Sequence, residues 1–184
     1  MKNFSRIKKL PSLAKQTGLT IIEATFVLLL LLGVILYAVD KYTDGQQSSN
    51  LNQEQSNLVS VIGKIKSKYN TASDFTGATI DTLRNSEVFP DTMISGTTVH
   101  SLLGGTITAG PVNAVGSNDG LALTIPGYSK KACNGITERV ESSVYSMTIN
   151  GTSVKAANAQ LDRAAVGTAC AAGANTMVIT ITKV

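Results

Sequence analysis

At 184 residues the chain has room for one globular domain and one long helix, not for two full domains. Its formal charge of +4 is lopsided: Lys2, Arg6, Lys8, Lys9 and Lys15 crowd the first 18 residues, which hold no acid, while the rest carries 11 bases against 12 acids. With no Trp and no basic cluster longer than Lys130-Lys131, this balance lends nucleic-acid binding little support and fits a leader held at the cytoplasmic face of a membrane. After Gly18 comes Leu19 to Val39, uncharged except for Glu23, which as a helix spans about 31 Å and so reaches across a bilayer. Burying a carboxylate in hydrocarbon costs about 2.5 to 3.5 kcal/mol even on lenient scales, so Glu23 calls for a partner. Cutting the chain after Gly18 would create one, a positive α-amino group on Leu19. In a bundle of such helices that amine could neutralise Glu23 of a neighbouring subunit.

Beyond the span, Leu51, Leu58, Ile62, Ile65 and Tyr69 form one amphipathic stripe, which predicts a single helix from about Leu19 to Tyr69, about 75 Å long. Its first half would protrude and its second half pack on a domain. Gly33 and Gly45 are its weak points, read either as bends or as positions where the helix loosens on assembly. Asp40 and Asp44 share a face just outside the apolar run and read as solvated. Residues 70–119 are rich in Thr, Ser, Gly and Asn, with a short helix expected at 78–87 on the stripe of Ile80, Leu83 and Arg84, before Pro90. Strands are expected at Val99 to Leu103 and at Leu121 to Ile125, the latter stopped by Pro126-Gly127. Ala132, Ile136, Val140 and Val144 recur every fourth residue, predicting a helix that carries Cys133. Val144 to Ile149 alternates into Asn150-Gly151, a type I′ hairpin signal, with Thr152 to Lys155 returning. Asn150-Gly151-Thr152 is also a glycosylation sequon, but the turn is the preferred reading. A further short helix is expected around Leu161, ending near Gly167, and then the alternating strand Met177 to Thr182 after Cys170.

Cys133 and Cys170 are the only cysteines, and neither redox nor zinc spacing is present. Pairing with each other in an oxidising compartment is the economical reading, with two buried free thiols as the alternative. No catalytic constellation emerges: the single His100 sits in an alternating segment as a half-exposed strand residue, and Gly104-Gly105 marks a turn. No cofactor and no metal site are expected, and an enzyme is not the expected class.

The run Gly18-Leu19-Thr20-Ile21-Ile22-Glu23, with a basic leader before it and an apolar helix after it, resembles the processing and assembly signature of type IV prepilins. The long leader and a first mature residue other than Phe resemble the type IVb subclass. The order of long helix, variable segment, Cys-bearing helix, Asn-Gly hairpin, second Cys and terminal strand is similar to type IVb pilin heads. The resemblance implies an α+β type IV pilin fold, a long N-terminal helix packed on an antiparallel sheet, with a C-terminal disulfide joining Cys133 and Cys170. It implies a leader at 1–18, a membrane and assembly segment at 19–45, and a head at 46–184. It further implies cleavage between Gly18 and Leu19 by a prepilin peptidase, N-methylation of Leu19, and Glu23 acting in assembly. The partners would be other copies of the chain, the peptidase, the inner-membrane pilus assembly machinery, and the bilayer before assembly. The expected destination is a surface pilus serving adherence or conjugative mating contact, reached from the bacterial inner membrane.

Other readings explain less. A secretory signal peptide carries no acid in its core and needs a small residue where Leu36-Tyr37-Ala38 offers a bulky Leu. A plain single-pass anchor accounts for neither Gly18 nor Glu23. A type II secretion pseudopilin shares the cut site and the acid, but the leader length and the Cys pair count against it. A minor pilin or tip adhesin is the binding-module alternative, distinguishable by abundance in sheared filaments.

Overall fold

The computed structural model describes residues 21–183, and these fall into two compact units, one ending at Asp44 and the other beginning at Gly45. The boundary lies within the first helix, α1 (Ile21–Tyr69), which runs without a break through Gly33 and Gly45.

In the second unit, the predicted stripe of α1 faces the core. Leu58 and Ile65 are completely buried, Ile62 and Leu51 nearly so, and Val61 joins them, while Tyr69 packs at the margin against Phe75 with ring centroids 5.0 Å apart. The short helix α2 (Ile80–Asn85) begins where the Thr79 hydroxyl accepts from the Thr82 N–H and buries Leu83. It is shorter than expected at both ends, and Glu87, at φ 55°, takes the chain out of helical geometry.

A two-stranded hairpin follows, β1 (Ile94–Ser95) with β2 (Thr98–Val99). The main sheet comprises β3 (Thr108–Val112), β4 (Gly120–Tyr128), β5 (Ser146–Ile149), β6 (Thr152–Lys155) and β7 (Asn175–Thr182), all antiparallel, in the spatial order β3-β4-β7-β5-β6. The central strand, β7, is thus the last in chain order. Its alternation resolves as read: Met177, Ile179 and Ile181 are fully buried, while Val178, Thr180 and Thr182 face the half-exposed side. Strand β4 does not stop at Pro126-Gly127, because a bulge between Ile125 and Tyr128, with Gly127 at φ +87°, carries the pairing past the proline. The expected strand at Val99 to Leu103 ends at Val99.

Helix α3 (Lys130–Val140), capped by Ser129, buries Ala132, Cys133, Ile136, Thr137 and Val140. The β5–β6 hairpin turns through Asn150 at φ 51° and Gly151 at φ 81°, the two positive angles a type I′ turn requires. Helix α4 (Arg163–Ala169) starts after Leu161 rather than around it, because the Asp162 carboxylate accepts from the Ala164 and Ala165 N–H groups and fixes the start. A disulfide joins Cys133 to Cys170, with 5.8 Å between the Cα atoms. Cys170 caps α4, so the bridge ties α3 to the end of α4.

Candidate assembly site

The first unit offers one feature, the apolar start of α1. Ile21–Val39 has a mean hydropathy of 2.5, is long and apolar enough to cross a membrane, and has no residue buried. Phe26, Leu28, Leu29, Val34 and Leu36 are all exposed by more than 60 %. Side chains this apolar stay out of water only in lipid or against other apolar helices. Glu23 sits in the first turn of this stretch, exposed among apolar neighbours. Thr25, the nearby hydroxyl, satisfies itself by donating to the Ile22 carbonyl at 2.8 Å. Gly18 and Leu19 lie outside the described residues, as do the side chains of Asp40 and Asp44.

The head contains a polar cluster that the sequence reading did not single out. Glu54, on α1, is fully buried. Its Oε1 accepts from the Ser101 hydroxyl at 2.5 Å and from the Tyr128 hydroxyl at 2.6 Å, and its Oε2 accepts from the Leu102 N–H at 2.9 Å. Ser101 Oγ in turn accepts from Gly104 N–H at 2.9 Å and Leu103 N–H at 3.3 Å, curling the chain into a turn. These bonds end the strand at Val99: the backbone that would have continued a ladder instead bends to satisfy a carboxylate from α1. The available signal was positional, since Glu54 falls three residues after Leu51 and four before Leu58, inside the buried stripe. Burial pushes the Tyr128 hydroxyl well above its ordinary pKa of 10.0, with the neighbouring Glu54 charge adding to the rise.

The remaining candidates are structural. His100 is half-buried, with Nε2 2.8 Å from the Thr98 hydroxyl and Nδ1 3.3 Å from that of Thr106, at an isolated bridge to Thr106. Asn150, the sequon position, has both amide hydrogens engaged, donating to the Ala169 carbonyl at 3.0 Å and to Asn175 Oδ1 at 2.9 Å, and its own Oδ1 accepts from Thr176 N–H. Among the described residues no group of His, Cys, Asp or Glu is arranged to hold a metal ion.

An exposed apolar helical segment, a head in which the continuation of that helix packs on an antiparallel sheet, and a disulfide near the C-terminus together make the type IV pilin fold. Residues 48–182 match the family model described as PilS N terminal, and the chain belongs to that family. Among solved structures the chain is similar to a type IVb pilin from Salmonella typhi, with a TM-score of 0.56, 20 % identity, and coverage of 71 % of this chain and 99 % of that one. It is also similar to TcpA, a type IV pilin from Vibrio cholerae El Tor biotype, with a TM-score of 0.53, 12 % identity, and coverage of 73 % and 99 %. No match was found among curated protein sequences.

Proposed function

We propose that this pilin is the structural subunit of a type IVb pilus. A prepilin peptidase cuts between Gly18 and Leu19, Leu19 is N-methylated, and the processed chain waits in the inner membrane with residues 19–45 as its span and 46–184 as its exported head. The assembly machinery then extracts subunits into a helical polymer at the cell surface, for adherence or mating contact. The observation that carries the reading is the position of Glu23: a single carboxylate in the first turn of an apolar, unburied span. In the filament the lipid is replaced by neighbouring apolar helices, so subunits leave the bilayer without exposing that surface to water. The Leu19 amine of one subunit pairs with Glu23 of the next, and any other stagger strands an acid among apolar side chains, which selects the register. A heterologous contact that does not close yields a filament.

Glu23→Ala tests the reading. The variant should insert and be processed normally, since it loses only a costly charge, but processed monomer should accumulate in the membrane fraction while sheared surface filaments fall sharply. Normal filament yield would sink the intersubunit pairing. N-terminal sequencing of surface material tests the cut site: Leu19 is expected as the first residue, and Gly18→Val should leave full-length protein in the membrane. Subunit abundance in the sheared material separates a shaft subunit from a minor one.

A further inference from the structure

The far end of the apolar span carries a second set of polar side chains that assembly through Glu23 does not use. From Ile21 to Leu36 the only polar side chains are Glu23 and Thr25. Tyr37, Asp40, Lys41 and Tyr42 then follow within six residues, and the three that are neutral or positive include Tyr37 and Tyr42, exposed by 66 % and 68 %. Lys41 Nζ lies over the Tyr37 ring, 5.6 Å from its centroid. Helical side chains lean toward the N-terminus, so the ammonium is drawn back to the level of the phenol instead of reaching away from the span. Tyr37 and Lys41 share one face at i and i+4, and Tyr42 is turned about 140° from Tyr37, so the polar groups spread around the helix at one depth. Phenols and long-stemmed cations favour the bilayer interface, where the apolar body stays in hydrocarbon and the donor meets a phosphate.

We infer that Tyr37, Lys41 and Tyr42 form a collar that binds phospholipid headgroups at the outward face of the inner membrane and fixes the depth of the span. The inference rests on the membrane-inserted stage proposed above. Its consequence is geometric. With Val39 at the hydrocarbon edge, Glu23 lies about 24 Å farther down the helix in a layer about 30 Å thick. Glu23 then sits within about 6 Å of the opposite interface, not at the centre. The collar would thereby hold the acid where headgroups and water can reach it until a neighbouring subunit takes over.

The chain contains no Trp, so a single reporter can be read without background. Leu32→Trp in the full chain places a ring about 10 Å inside the collar edge, short of the midplane. The protein would be reconstituted in phosphatidylethanolamine–phosphatidylglycerol vesicles bearing bromine at shallow or deep acyl positions. The reporter alone should be quenched comparably by both labels. Adding Tyr37→Ala, Lys41→Ala and Tyr42→Ala should let the span slide inward by about one helical turn, roughly 5 Å, so that deep quenching rises and shallow quenching falls. Lys41→Arg with both tyrosines kept should retain the original depth. If the triple variant co-sediments with vesicles at unchanged depth, the collar is overturned while the membrane stage stands. If the reporter chain does not co-sediment at all, the membrane stage fails and the collar with it.

Discussion

Truncating Glu54 would take the acceptor from the buried Tyr128 hydroxyl and from the part-buried Leu102 N–H, and leave the Ser101 hydroxyl only the Tyr128 oxygen at 3.3 Å. Each stranded buried donor costs about 1 to 3 kcal/mol, so Glu54→Ala should destabilise the protein by roughly 3 kcal/mol or more. Tyr128→Phe removes one donor and leaves the others served, and should cost only about 1 kcal/mol. Thermal unfolding of the full chain in detergent compares the two, and equal losses would count against a shared cluster. The Tyr128 hydroxyl also makes stability depend on alkaline pH. Its folded pKa is raised above the ordinary 10.0, so its contribution is complete below pH 10 and is lost as pH climbs, because the unfolded chain ionises first. Stability should fall above pH 10 more steeply in the wild type than in Tyr128→Phe. Asp119 works in the opposite direction. Its carboxylate accepts from Gly116 N–H at 2.7 Å, Ala114 N–H at 2.8 Å and Val115 N–H at 3.0 Å, and the Gly116 bond leads in holding it below its ordinary 3.8. That contribution is present above the ordinary value and lost as pH falls through the folded one, so amide exchange at 114–116 should accelerate below about pH 3.8 and, at neutral pH, in Asp119→Asn.

Among the elements, the turn at Gly104 and the α3–α4 staple set local tolerances. A Cβ on Gly104 would lie 2.8 Å from the Pro126 carbonyl oxygen, a backbone atom that cannot swing aside. Gly104→Ala should therefore cost about 1 to 3 kcal/mol in thermal unfolding, although Ala is otherwise the less flexible residue. Helix α4 has seven residues, far below the length at which a helix stands alone, and the Cys170 bridge to α3 supplements its buried Val166. Cys170→Ser should lose about 2 to 5 kcal/mol and expose 163–169 to proteolysis, while mass spectrometry of the non-reduced wild type should find no free thiol. Elements governed by a local rule were legible in the sequence: the α1 stripe, the Ser129-capped α3 and the Asn150-Gly151 turn. Those set by distant partners were not. Strand β3 reads Thr-Ala-Gly-Pro-Val, a breaker by composition, yet it sits at the sheet edge where Pro111 is tolerated. The strand after Val99 was lost to Glu54, 47 residues away from Ser101.

For the molecule as a whole, the apolar run was readable because it is a one-dimensional pattern, as was the α+β class. Strand order was not, because adjacency in a sheet is decided by long-range packing. That order has a bearing on when the head can fold. Strand β7 is flanked by β4 on one side and β5 on the other, so without it the sheet falls into β3-β4 and β5-β6, two hairpins with no common partner. Isolated hairpins are marginal in water. The head therefore has no complete sheet until residues 175–182, the last of its strands to be synthesised, are available to join the two hairpins. A chain truncated after Ala174 should stay protease-sensitive throughout the head, whereas the full chain is protected.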